Sequence, residues 1–231
     1  MRPAKTSRLP KRVGTLALTP HADTKGLPRG RASLQEAAVL KDQRGRLKAA
    51  VIAAVAELGY VEVTISDIVQ RARVSRQAFY TQYVSKEACF LAAASGGIKL
   101  LTKQMAEAER GAAEGAGFLD TQRRRIRVYL ETAAAEPEFT RCLVIETSAA
   151  GAKVRSARNA AMKAFAASIA VHHRAARAKH PAWPKLSDTS YLGIVGAIQE
   201  LMFQQHSSHG PMKLAELETA IMELMRATLT R

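Results

Sequence analysis

The sequence predicts an all-α protein of about nine helices, arranged as a three-helix head followed by a larger helical body. Three observations carry that prediction. Apolar residues make up 47% of the 231-residue chain and aromatics only 5%; the abundant alanine behind this difference favours close-packed helices over a β-sandwich. Apolar positions recur at helical spacing, with Leu47, Val51, Ala54, Val55 and Leu58 the clearest case. Capping residues stand before such runs, and Gly or Pro after them.

Residues 1–32 carry Pro3, Pro10, Pro20 and Pro28 with Gly14, Gly26 and Gly30, a spacing that interrupts any long helix. The formal net charge is +15, and its densest share lies at this end. Residues 1–41 hold nine Lys/Arg against two acids, residues 42–95 seven against five, and residues 96–231 nineteen against thirteen. Residues 1–40 therefore read as a basic, disordered arm, with Ser33 and Glu36 at capping-box spacing able to start a turn or two of helix. A head over residues 41–95 and a body over residues 96–231 follow.

Helix one is expected over about 42–58, stopped by Gly59. Thr64, with Asp67 three positions on, caps helix two, whose buried stripe is Ile65, Ile68, Val69 and Ala72. A tight turn through Arg73 and Val74 leads to Ser75, the cap of a short helix three over about 76–82. Ser85 caps helix four, which runs to about residue 113, with Ser95, Gly96 and Gly97 the place able to bend or break it. Asp120 caps a fifth helix ending before Pro137, and a sixth spans about 138–149 and stops at Gly151. A long seventh helix reaches about residue 179, where His180, Pro181, Trp183 and Pro184 break it. An eighth, of about twenty residues, starts at Asp188, and the ninth follows Gly210 and Pro211 with Leu214, Leu217, Ile221, Leu224 and Met225 on one face.

A sequence pI near 10.3 favours polyanionic partners through counterion release. Cys89 and Cys142 lack paired spacing and read as reduced core thiols. No run approaches the roughly 18 apolar residues of a membrane span, and the opening segment lacks a signal peptide's apolar stretch, so a cytoplasmic, nucleoid-associated protein with no membrane partner is expected. His172 and His173 diverge on a helix; His206 and His209 share a side but have no acidic or thiol partner at ligand spacing, so no metal is expected. Glu136 and Glu138 flank Pro137 at a helix boundary, where capping and solvent exposure explain them. With no phosphate loop, nucleophile elbow or nicotinamide fingerprint, neither catalysis nor a cofactor is expected.

The segment over about 64–83 has the form of a helix-turn-helix. Val74 and Phe79 bury one face of helix three, leaving Arg76 and Gln77 at its N-terminal end to reach guanine and adenine edges and Ala78 to meet a thymine methyl. From Leu47 to Phe90 the chain resembles the N-terminal domain of the TetR family of bacterial transcriptional regulators. Ala49 and Ala50, Gly59 and Tyr60, Thr64 with Ile68, Val74-Ser75-Arg76, Phe79-Tyr80, Tyr83 and Ser85-Lys86-Glu87 carry the likeness. The resemblance implies a DNA-binding set of Thr64, Arg73, Ser75, Arg76, Gln77, Ala78, Tyr80, Gln82, Tyr83 and Lys86, with Tyr80, Gln82 and Lys86 on phosphates. Two positions depart from the family. Arg73 stands where glycine usually makes the turn, which costs on the order of 1 kcal/mol if the turn is left-handed, and Val69 replaces a common alanine.

The body is expected to dimerise and to sense. The resemblance implies that the last two helices pair with those of a second copy, giving Leu192, Val195, Gln199, Leu217, Ile221, Leu224 and Met225 as interface candidates. A dimer brings two heads to half-sites of a palindromic double-stranded operator roughly 34–36 Å apart. Met105, Tyr129, Phe139, Met162, Phe165, Trp183 and Phe203 are candidates to line a cavity for a small hydrophobic effector. The expected function is a sequence-specific regulator of transcription, a repressor released by that ligand. An effector-independent regulator or activator is the alternative, and an enzyme is a more distant one; a cavity of roughly 300 Å³ or more favours the sensor.

Overall fold

A computed structural model of the chain describes residues 33–110, 116–207 and 214–231. These residues contain nine α-helices and no strand: α1 (Ser33–Leu58), α2 (Ile65–Ala72), α3 (Arg76–Gln82), α4 (Lys86–Arg110), α5 (Phe118–Ala135), α6 (Pro137–Val144), α7 (Ala152–Arg177), α8 (Asp188–Ser207) and α9 (Leu214–Leu229). A single 3-10 turn, Glu146–Ser148, separates α6 from α7.

α1 is the strut of the head. Leu47, Val51, Ile52, Ala54 and Val55 are fully buried, packed with Ile68 of α2, Phe79 of α3, and Cys89 and Phe90 of α4. Each such large side chain contributes roughly 1.5–3 kcal/mol through burial. The helix starts at Ser33, not near residue 42, so residues 33–40 belong to a helix rather than to the expected arm; residues 1–32 of that arm lie outside the described residues. The head's core also runs past residue 95, taking in Phe139 and Cys142 of α6, Ala150, and Val154 of α7. The Cys142 thiol points at the Ile52 carbonyl of α1, 3.5 Å away.

α4 runs through Ser95, Gly96 and Gly97 as one continuous helix, without the alternative break. Gly97 serves packing: a Cβ there would overlap the Phe139 ring, which lies directly on the helix backbone. Gly97→Ala is therefore expected to destabilise the fold by about 1–3 kcal/mol, read as a lower urea midpoint with an unchanged slope. An unaltered midpoint would show that the ring moves aside freely.

α5 starts one turn earlier than the sequence suggested. Gly117 is its N-cap, and Asp120 lies inside the first turn, where its charge complements the helix dipole. Pro137 takes the first position of α6, where its missing N–H costs nothing. The expected 138–149 helix is split because Ile145 ends α6 and the chain tightens into the 3-10 turn.

A second core, formed by α5, α7, α8 and α9, holds Ile126, Leu130, Ile169, Tyr191, Ile198, Met202, Ile221 and Met225. His173 sits fully buried in it. Its Nε2 donates to the Leu229 carbonyl at 2.7 Å and its Nδ1 lies 2.7 Å from the Tyr191 hydroxyl, fastening α7 to α8 and to the end of α9. Burial pushes its pKa down, against the Leu229 bond, so the neutral ring is the packed form.

This core corrects the interface reading. Val195, Ile221 and Met225 are at most 1% exposed and Leu217 is 7% exposed within one chain, so these side chains hold the subunit together and cannot also cover a partner. Gln199 faces a cavity, described below. Leu192 and Leu224, with Gln199, are the members of that set that remain partly open. The α9 periodicity identified a buried face correctly but not what covers it, because core and interface share one apolar pattern.

Candidate nucleic-acid interface and ligand cavity

The helix-turn-helix is set by its caps. The Thr64 side chain accepts from the Asp67 backbone N–H at 3.3 Å, while the Asp67 carboxylate accepts from the Thr64 N–H at 2.8 Å and its hydroxyl at 2.6 Å. Those bonds hold the Asp67 carboxyl below its ordinary pKa. Arg73 ends α2 in the left-handed region at φ 52°, and the Arg73 and Val74 N–H groups close the helix on the carbonyls of Gln70 and Val69. The strained turn is therefore real, carried by a non-glycine residue with an exposed side chain. Ser75 then caps α3, its hydroxyl accepting from the Ala78 N–H at 3.0 Å.

Phe79 is fully buried and anchors α3, while Tyr80 and Tyr83 pack edge-on and tilted against it. The opposite face presents Arg76, Gln77 and Tyr80 to solvent, with Ala78 partly covered. The Arg76 guanidinium lies 5.9 Å from the Tyr80 ring centroid and 3.4 Å from the Ser66 hydroxyl of α2. These contacts aim a cation along the helix N-terminus without enclosing it. Ser66 and the exposed Thr81, both absent from the sequence-based set, share this surface.

Four members of the set are placed otherwise, Thr64 among them, since its N–H and its hydroxyl both donate to Asp67. Both ends of the Gln82 amide are engaged: Oε1 accepts from Arg44 at 2.9 Å and Nε2 donates to the Leu40 carbonyl at 2.9 Å, tying α3 to α1. Tyr83 is 7% exposed and its hydroxyl is enclosed without a hydrogen-bond partner, so it is core; desolvation pushes its pKa up to about 12. Lys86 turns inward. Its ammonium donates to the carbonyls of Tyr60, Val61 and Val63 at 2.7, 3.3 and 2.6 Å and lies 4.5 Å from the Tyr60 ring centroid. Three protons meeting three carbonyls leave none for a phosphate. Partial burial also pushes this lysine's pKa down. The sequence could not reveal this, because those carbonyls belong to a loop more than twenty residues away.

The Tyr60 loop has a second tie. Its N–H donates to Glu146 at 2.9 Å, and Glu146 also pairs with Arg141 at 3.3 Å. The loop behind the helix-turn-helix is thus bonded both to the start of α4 and to the 3-10 turn after α6.

A cavity of about 240 Å³ opens between α4, α5, α7 and α8. Met105, Tyr129, Met162 and Phe165 line it, together with Ile98, Leu101 and Leu143. Three other candidates are elsewhere. Phe139 packs on Gly97, Trp183 stacks on His180 at 4.3 Å and on His173 at 5.9 Å, and Phe203 is exposed on α8. Val195 and Gln199, expected at an interface, line the cavity instead, and the Gln199 amide donates to the Tyr129 hydroxyl at 3.2 Å. The polar members Glu109, Arg125, Arg158 and Ser168 were not anticipated from sequence. On a helix, a cavity-facing arginine has the same local pattern as a solvated one.

Among the described residues no cluster of three or more His, Cys, Asp or Glu could hold a metal ion; His209 lies outside them. Both cysteines are buried thiols, and burial pushes that of Cys89 up to about 12. No described helix is long and apolar enough to cross a membrane.

Residues 47–93 match the family model described as bacterial regulatory proteins, tetR family. The matched segment is the one whose residues carry the resemblance noted from the sequence. A comparison with curated proteins found no match. Among solved structures, the chain is similar to the fatty acid degradation regulator FadR from Bacillus halodurans, with TM-score 0.71 and 14% identity over 85% of this chain and 96% of that one. It is similar to the transcriptional regulator FadR from Bacillus subtilis, solved with stearoyl-CoA, with TM-score 0.70 and 15% identity over 78% of this chain and 96% of that one. A third is tylp, a tetr regulator from Streptomyces fradiae, with TM-score 0.60 and 23% identity over 83% and 88% of the two chains. At these identities the likeness establishes a shared all-α fold.

Proposed function

We propose that this protein is a sequence-specific DNA-binding regulator of transcription that works as a homodimer and is released from its operator by a small ligand. The observation that carries the DNA-binding reading is the outer face of α3, where Arg76, Gln77 and Tyr80 are exposed on a helix anchored by Phe79. In this reading Arg76 and Gln77 meet base edges and Ala78 a thymine methyl, while Tyr80, Ser75 and the exposed Arg73 offer donors to backbone phosphates and Thr64 serves as the cap of α2. Residues 41–95 form the reading head in this proposal, and residues 96–231 sense and dimerise.

The cavity supports sensing, because α4 joins its two ends. That helix begins at Lys86, bonded to the head, and contributes Ile98, Leu101 and Met105 to the cavity wall. A ligand that shifts α4 alters the spacing of the two heads, so ligand and operator favour different dimer geometries. The two FadR structures above are regulators of this fold, one with an acyl ligand bound. The effector-independent alternative keeps one observation: about 240 Å³ falls short of the roughly 300 Å³ where drug-sized pockets begin. The open parts of α8 and α9, Leu192, Phe203 and Leu224 with the uncovered Gly193 and Gly196, are the surfaces left for a second copy.

Footprinting on the DNA upstream of the protein's own gene tests the reading. A protected palindrome with two half-sites about one helical turn apart is the expected result. Binding with no preferred site would reduce the protein to a non-specific DNA binder.

A further inference from the structure

We propose that the cavity takes a medium-sized amphiphile with a single carboxylate, its head group held by Arg158 and Arg125 and its apolar body lying among Leu101, Met105, Met162 and Phe165. The proposal rests on the sensing role given above and names the chemistry of the ligand.

Charge decides the head group. Two arginines and one glutamate line the cavity, and the glutamate is already engaged: Glu109 lies 2.6 Å from His172 Nε2 and 3.9 Å from Arg125 Nε. Arg125 is 4% exposed, a cation held deep in the wall. Its Nη2 donates to the Ser168 hydroxyl at 2.7 Å and its Nη1 lies 2.9 Å from His172 Nδ1. Its buried Nε has no hydrogen-bond acceptor. That nitrogen is enclosed beside Glu109, whereas Nη2, bonded once to Ser168, keeps a second proton that a ligand oxygen can accept.

Arg158 is half-buried in the same wall, and among the described residues it makes no hydrogen bond or ion pair. It stands near enough to Tyr129 for its charge to oppose the burial that raises that phenol's pKa. The Tyr129 hydroxyl accepts from Gln199, which leaves its own proton free to donate to a ligand oxygen. A guanidinium, a second guanidinium and a phenol form a donor set suited to the two oxygens of one carboxylate. With one positive charge in excess, the site matches a monoanion better than a phosphate dianion. The remaining wall is largely apolar, and about 240 Å³ suits a medium-length acid rather than a long acyl chain bearing a nucleotide.

Isothermal titration of the full-length protein without DNA tests this, using decanoate, decanol, decyltrimethylammonium and decanoyl-CoA as probes. Decanoate is expected to bind at least about tenfold more tightly than decanol, the smaller effect of a charge-assisted pair. Arg158→Met should erase that preference while leaving decanol affinity within about twofold. Met162→Trp, which fills the cavity, should abolish binding of both. The proposal is overturned if decanol equals decanoate, if the ammonium or the thioester binds more tightly, if no probe binds, or if either variant behaves as wild type. Should Arg158→Met fail to fold, the probe ranking and the Met162→Trp result still decide. Because no DNA is present, failure here leaves the footprint unaffected, and failure of the footprint leaves this ranking unaffected.

Discussion

Arg76→Ala is expected to lower affinity for the preferred operator by about 1–3 kcal/mol per half-site, and by up to twice that for a dimer whose two heads each lose the contact. The side chain stands at the exposed start of α3, steadied by Tyr80 and Ser66 but enclosed by neither. Its removal therefore costs little folding energy, and the loss appears in binding. The discriminating measurement is fluorescence anisotropy on the operator and on a set of single base-pair variants. Preference at one position per half-site should relax while other positions keep theirs. An equal loss on every sequence would make Arg76 a phosphate contact and pass base reading to Gln77 and Ala78.

Lys86→Ala should behave in the opposite way. The resemblance to TetR domains implied a phosphate contact, and loss of one such contact per subunit would reduce the salt dependence of log K by about 0.9. In the structure the ammonium instead caps three carbonyls of the loop between α1 and α2 and faces the Tyr60 ring. Hydrogen bonds to a charged donor contribute about 1.5–3 kcal/mol each when buried. Because this lysine is only partly buried, the expected destabilisation is about 2–4 kcal/mol in total rather than their sum. Urea unfolding should show it directly. Operator affinity corrected for the folded fraction should keep the wild-type salt slope. A normal midpoint with a shallower slope would restore the phosphate role.

The two residues illustrate what could be read in advance. Arg76 sits one position after a capping serine and three before a buried phenylalanine, so its exposure followed from local helical geometry. The destination of Lys86 did not, since the same lysine at a helix start reaches either outward to DNA or back over the helix to a loop. Gln82 and Tyr83 failed for the same reason. Their partners are Leu40 and Arg44 on α1 for the first and the core around Phe79 for the second, all set by how α1 crosses α3. In the body, four of seven proposed cavity residues do line the cavity. Phe139, Trp183 and Phe203 do not, because aromatic residues in a helical protein fill cores and surfaces as readily as pockets.

By itself the sequence determined the all-α class, the order of the nine helices among the described residues, the caps at Thr64 and Ser75 and the buried anchor of α3. Each depends on residues within about one or two turns of one another, where backbone capping and helical periodicity act. Tertiary structure alone decided that Ile221 and Met225 close the subunit rather than a dimer. It also turned Lys86 inward, continued the head's core into α6, and brought Arg125, Arg158 and Tyr129 to one cavity. An apolar stripe specifies that a face is covered and a charged side chain that it needs a partner. Which surface or partner answers depends on the crossing of helices distant in the chain, and that information is spread over the whole packed core.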